Sequence, residues 1–194
     1  MIETGRRLPT AERRDQLAAA ALRILADRGF AALTAKNLGN EVGITDGAVF
    51  KHFSDKESII EAAIDMFEEL LQIPATTNTI PPMERLRVFF VGRLSLMRER
   101  PEILELAFTR RLESADGAPG VARVRRTMNS SITFIRTCLR EAQKRGEIGD
   151  RASPVVLTWM VQGVLQGSAR RRASRSASAR IWEEVSGILQ TDNA

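Results

Sequence analysis

Three of the chain's four lysines, Lys36, Lys51 and Lys56, fall between positions 36 and 56, although arginine outnumbers lysine 25 to four overall. Around them stand the short hydrogen-bonding side chains of Thr34, Thr45 and Asp46 and the small residues Gly47 and Ala48. The chemistry open to this set is non-covalent. Ammonium groups can neutralise phosphates, hydroxyls can accept from backbone amides, and small residues let the backbone come close to another molecule. Covalent chemistry has little to work with. One His and one Cys, Cys138, exclude a histidine-rich metal site, a Cys–His zinc site and an internal disulfide. No GxxxxGK[ST] or GxGxxG loop occurs. A Ser–His–Asp triad would have to recruit His52 from inside the lysine cluster, which leaves catalysis by carboxylates alone as the one enzymatic rival. No enzyme, cofactor or metal site is therefore expected.

The elements that must hold these residues can be read from TAKNLGNEVGITDGAVFKHFSDKE, positions 34 to 57. Thr34 can cap a first short helix with Leu38 and Val42 on its apolar side. Gly43 supplies the left-handed residue that a helix end needs, and Ile44 fills the gap before the next helix. Thr45 caps that helix, where Val49, Phe50 and Phe53 are expected to turn inward. Ser54 caps a third, with Glu57 as its capping-box partner. Short helix, glycine turn and second short helix with small residues at its start are the sequence form of a helix-turn-helix, whose second helix enters the major groove of DNA.

Thr34, Leu38, Glu41, Gly43, Ile44, Thr45, Gly47, Ala48, Phe50, His52, Phe53, Lys56 and Glu57 together resemble the signature of tetracycline-repressor-like (TetR-type) regulators. The resemblance covers roughly the first third of the chain. It implies a dimeric DNA-binding regulator, most often a repressor, with a second domain that binds a small molecule. The alternative is a DNA-binding member that takes no small molecule and acts through a protein partner or in chromosome organisation. Two residues depart from the pattern. Gly39 stands where the family usually has Ala, which should loosen the first helix by up to about 1 kcal/mol. Phe50 stands where it usually has Tyr, so a hydroxyl that often touches a phosphate is missing, and the chain has no Tyr to replace it.

Roles follow for the motif. Residues 45–51 should lie in the major groove, with Gly47 and Ala48 close to the bases and Ala48 able to touch a thymine methyl. Asp46 either accepts from a cytosine amino group or only favours the helix N-terminus. Lys36 matches a position that reads guanine in some relatives; its alternative is a phosphate contact. Lys51, His52 and Lys56 look like backbone contacts, and His52 could instead pack on Phe53.

The whole chain suits this placement. Its 194 residues are 43% apolar with 5% aromatic, rich in good helix formers, with net charge +5 and pI near 10.3. The opening MIETGRRLPTAERR has no apolar run, and no later stretch is long and uncharged enough for a bilayer, so a cytoplasmic location without membrane contact is expected. The periodicity predicts an all-α chain of about nine helices and no strand. An N-terminal three-helix helix-turn-helix domain is expected over 10–56, with the motif at 34–53. A helical-bundle regulatory and dimerisation domain should follow over 57–194. A helix over 10–28 ends at Gly29, and one over 54–72 is long enough to leave the first domain for the second. PATTNTIPP, 74–82, is the expected flexible connection, and ADGAPG, 115–120, a break. Further helices are expected over 83–99, from Pro101, over 121–145, from Pro154, and over 181–189.

In the second domain Phe89, Phe90, Met97, Phe108, Met128, Phe134 and Trp159 are candidates to line a pocket for a small apolar or amphipathic effector; plain core is the alternative. The helix from Pro154 has almost no polar face. Trp159, Gly163 and Gly167, with Ile181, Trp182, Val185, Ile188 and Leu189 of the last helix, are the expected homodimer surface, the alternative being that both helices complete the monomer core. RRRASRSASAR, 170–180, has five arginines and no acid and reads as a loop or fraying helix end: a second anionic contact or a solvated connection.

Overall fold

The computed structural model describes residues 9–73, 79–108 and 120–190. Among them are nine α-helices and no strand, as the sequence periodicity requires. The helices are α1 (Thr10–Arg28), α2 (Ala35–Val42), α3 (Asp46–Val49), α4 (Lys56–Leu70), α5 (Pro82–Glu99), α6 (Pro101–Phe108), α7 (Val121–Lys144), α8 (Pro154–Arg170) and α9 (Arg175–Gln190). They form two compact units. The first holds α1 to α4 with Phe108 and residues 120–124; the second holds the described residues of 71–107 and 125–190. The helix expected to leave the first domain, α4, lies wholly within that unit. Of the connection at 74–82, residues 74–78 lie outside the described residues, as do 115–119 of the expected break.

The first unit is built on α1 against α4. Leu17, Ala20, Ala21, Ile24 and Leu25 of α1 and Ile59, Ile60, Ala63, Ile64 and Phe67 of α4 are buried. These are the two apolar stripes of amphipathic helices, and their burial is the main source of stability. Arg123, at the start of α7, bridges to Asp65 at 2.6 Å and to Glu68, and those two carboxylates raise its pKa. In the second unit α5 packs against α8 and α9. Phe90 is fully buried and meets the Trp182 ring at 5.4 Å.

Four details correct the sequence expectations. Asp55, not Ser54, caps α4: its Oδ1 accepts from the Ser58 amide at 2.7 Å, and the Ser58 hydroxyl in turn accepts from the Asp55 amide at 3.3 Å. Both neighbours are good caps, and the shorter reach of Ser58 closes the box one residue later than Glu57 would. The Ser58 amide, with the Ser54 hydroxyl, holds the Asp55 carboxyl below its ordinary pKa. Next, Phe50 does not turn inward; it is 54% exposed, because α3 is a single turn that buries only Val49. The last helix begins at Arg175 rather than 181, since Ser174 accepts from the Ala177 amide at 3.2 Å and starts it under the arginine–serine run. Finally, α8 ends in a Schellman turn. Ala173 donates to the Ser168 carbonyl at 3.1 Å, with Arg172 in the left-handed conformation at φ 51°.

Candidate nucleic-acid interface

Local hydrogen bonds build the motif. The Thr34 hydroxyl accepts from the Asn37 amide at 3.1 Å and opens α2. The Asn37 side chain donates to the Ala32 carbonyl at 2.7 Å, which ties the new helix to the turn before it. Gly43 ends α2 at φ 76°, a conformation that costs other residues about 1 kcal/mol or more. The Thr45 hydroxyl accepts from the Ala48 amide at 3.2 Å and opens α3. Leu38, Val49 and Phe53 are buried under this turn and fix it to the unit. The guanidinium of Arg14 lies 5.1 Å above the Phe53 ring.

Gly39 has a reason that the sequence did not disclose. A Cβ there would stand 2.7 Å from the Ile44 carbonyl oxygen and 3.3 Å from the Asp46 amide nitrogen. The turn therefore lies directly on the backbone of α2, closer than alanine permits. What the sequence presents as a weakened helix is a close approach that sets where α3 begins.

The side chains expected to meet DNA are presented outward. Thr34, Lys36, Thr45, Asp46, Gly47, Phe50, Lys51 and Lys56 are exposed, while Ala48 and His52 are half-buried. None of the three lysines takes part in a salt bridge among the described residues. Glu41, the nearest acid on α2, is drawn to Arg23 and Arg28 at 3.4 Å each, away from the lysines. The Asp46 carboxylate accepts from the Gly47 amide at 2.8 Å, which favours its role at the helix N-terminus. His52 Nδ1 is buried without a hydrogen-bond partner among the described residues. This surface can take an anionic, deeply grooved partner: α3 starts with small residues, exposed lysines stand on α2, just after α3 and at the start of α4, and Phe50 offers an apolar face for a thymine methyl or a sugar.

The second unit sorts the remaining candidates. Phe89, Phe90 and Met97 are buried, Phe89 meets Phe134 at 5.1 Å, and Met128 is half-buried. Phe108 belongs to the first unit and is not grouped with them. Trp159 is not buried with them. It is 71% exposed on α8, because the helix turns Leu157, Val161 and Leu165 inward and leaves Trp159 on its outer side. Trp182 and Leu189 are buried in their own unit, so they complete its core instead of offering a surface. Gly163, Gly167 and Ile188 are exposed, and Ile181 and Val185 half-exposed. With Val155, Val156, Met160 and Val164 they leave a contiguous apolar face on α8 and α9, which Trp159 extends. Sequence reasoning missed Arg93, a buried cation of α5, although it sits on the same helical stripe as Leu86, Phe90 and Met97.

Comparison with known proteins agrees with this geometry. Residues 17–63 match the family described as bacterial regulatory proteins, tetR family. HTH-type transcriptional repressor KstR2 of Mycolicibacterium smegmatis is 32% identical over 95 residues, 46% of this chain and 45% of that protein. The chain thus spans about half the length of that relative. HTH-type transcriptional repressor BepR of Brucella suis is 28% identical over 166 residues, 80% of this chain and 79% of the repressor. The fold matches ketosteroid transcriptional regulator KstR2 of Mycobacterium tuberculosis with a TM-score of 0.71 at 16% identity, covering 98% and 97% of the two chains. It matches AibR in complex with isovaleryl coenzyme A and operator DNA with a TM-score of 0.68 at 17% identity, covering 91% and 97%.

Proposed function

We propose that this chain, whose residues 17–63 match the tetR family of bacterial regulatory proteins, is a regulator of that family that binds a palindromic DNA operator as a homodimer and represses transcription until a small effector releases it. The observation that carries the reading is the motif itself. Thr34 and Thr45 cap two helices around the Gly43 turn, and Lys36 on α2, Lys51 just after α3 and Lys56 at the start of α4 are exposed. Small Gly47 and Ala48 let that start approach base edges, while the lysines neutralise phosphates and fix the register. One such helix reads too few base pairs for useful specificity, so a twofold pair is needed. The exposed face of Trp159, Gly163, Gly167 and Ile188 supports pairing through α8 and α9, since neither glycine meets a neighbour within 4 Å of an added Cβ. AibR has been seen with isovaleryl coenzyme A and operator DNA, and an effector in the second unit here would act by linkage. It favours the conformer that holds DNA poorly, and DNA weakens it by the same factor.

The test is a salt titration of duplex binding. Lys36→Ala should relax preference at one base pair per half-site, and Lys56→Ala should weaken all sequences alike while reducing the salt slope by roughly one unit. Equal loss on every sequence from both would assign Lys36 to the backbone. Solution mass tests the pairing: the wild type should be a dimer at micromolar concentration and Gly163→Leu a monomer. A monomeric wild type would refute it.

A further inference from the structure

Helix α5 carries two arginines into the second unit, Arg85 and Arg93, each 7% exposed. They are treated differently. Arg85 meets the carboxylate of Glu141, so its charge has a counter-ion. Arg93 makes both of its polar contacts through Nη2, to the Leu71 carbonyl at 3.0 Å and to the Ser131 hydroxyl at 3.5 Å. Its Nε and Nη1 have no partner among the described residues, and no carboxylate there faces it. The guanidinium lies 4.8 Å from the centre of the Phe89 ring, which itself meets Phe134.

A guanidinium taken out of water with no counter-ion is strongly disfavoured unless something else supplies the negative charge. Burial alone pushes the Arg93 pKa down to about 10, the opposite of what an adjacent carboxylate does, and leaves it charged at neutral pH. A neutral side chain of similar length would fill the site at lower cost, so the charge is not explained by packing. Around it stand the Phe89 ring, which in turn meets Phe134, the Ser131 hydroxyl and the Leu71 carbonyl, none of them carrying a negative charge; the aromatic side suits an apolar body that ends in an oxyanion. We propose that Arg93 anchors an oxyanion of the small-molecule effector, with Phe89 and Phe134 against its apolar body. This rests on the reading that the second unit takes an effector. The guanidinium fork can hold two oxygens of a carboxylate or phosphate at once.

The test uses the full chain with octanoate, phenylacetate, their methyl esters and octanoyl-coenzyme A, on the wild type, Arg93→Met and Arg93→Lys. In calorimetry at least one acid should bind the wild type about tenfold or more tighter than its uncharged ester. Arg93→Met should lose that preference and bind ester and acid alike, while Arg93→Lys should keep part of it. Arg93-dependent binding of octanoyl-coenzyme A without binding of either acid would place a phosphate, rather than a carboxylate, on the guanidinium. The ligand-free Arg93→Met protein should melt at or above the wild-type temperature. A variant that melts well below it, or fails to fold, would make Arg93 a strut for the Leu71 carbonyl and overturn the proposal. Acid and ester binding the wild type equally, or no probe binding at all, would overturn it too. Duplex DNA binding by the same preparations is read separately: its absence in the wild type overturns the repressor reading and leaves the calorimetric comparison standing.

Discussion

The two units of this chain handle positive charge in opposite ways. In the first, Lys36 on α2, Lys51 just after α3 and Lys56 at the start of α4 stand in solvent, and the residues buried between α1 and α4 are apolar. In the second, Arg85 and Arg93 go inside, one with Glu141 and one with no carboxylate partner among the described residues. An exposed cation keeps its water and small counter-ions, and it attracts a phosphate by exchanging them, so its effect fades as salt rises. A buried cation without a counter-ion is screened little by salt and awaits a matched anion. The first arrangement suits a long polyanion that is bound and released in register. The second suits one small anion held in place.

Removing the exposed set should give the largest effect. The Lys36, Lys51 and Lys56 triple alanine variant should bind duplex DNA roughly a hundredfold or more weakly near physiological salt. The slope of its salt dependence should fall by about three units. Fluorescence anisotropy over a salt series measures both, and unchanged binding would remove the contrast between the units. Next in size is Gly39→Ala. The added Cβ, 2.7 Å from the Ile44 carbonyl oxygen, should destabilise by roughly 1–3 kcal/mol, more than the gain in helix propensity of about 1 kcal/mol. Denaturant unfolding decides the sign, and a net gain in stability would show that the turn can move away from α2.

Smaller effects sharpen the account of how each unit ends its helices. Arg172→Gly should stabilise the chain by about 0.5–1 kcal/mol in thermal unfolding, because glycine occupies the left-handed turn after α8 without strain. A loss would mean that the arginine side chain contributes more there than its backbone strain removes. In the first unit, Asp55→Ala should lower the melting temperature more than Ser54→Ala does, since the Asp55 carboxylate holds the Ser58 amide. The Asp55 carboxyl has a lowered pKa in the folded chain, so its contribution is complete above the ordinary carboxylate range and is lost as pH falls through the lowered value. Equal melting of wild type and Asp55→Ala at neutral pH would contradict that.

What the sequence disclosed, and what it hid, follows the range of the interactions. Thr34, Gly43 and Thr45 were legible because a cap or a left-handed turn is decided by residues three or four apart. The long stripes of α1, α4 and α7 were legible through their period. Phe50 was not, because one turn of helix is too short to show which side is inside. Ser54 and Asp55 are both good caps, and only the geometry at Ser58 chooses between them. The start of α9 hid under an arginine–serine run whose composition resembles a loop, although Ser174 caps it. Gly39 and Arg93 depend on contacts that the local pattern does not show: a turn carbonyl in one case, and in the other the lack of a facing carboxylate among the described residues. Arg93 did leave a trace, seven residues after Leu86 and four before Met97 on the buried stripe of α5.

The most direct test of the central claim is selection of duplexes from a random-sequence pool by the wild type and by the triple lysine variant, at fixed near-physiological salt. The account predicts that the wild type enriches a palindrome with half-sites separated by about one helical turn or more, and that the variant enriches none. A wild type that enriches no sequence, or a variant that enriches the same palindrome equally well, would contradict it.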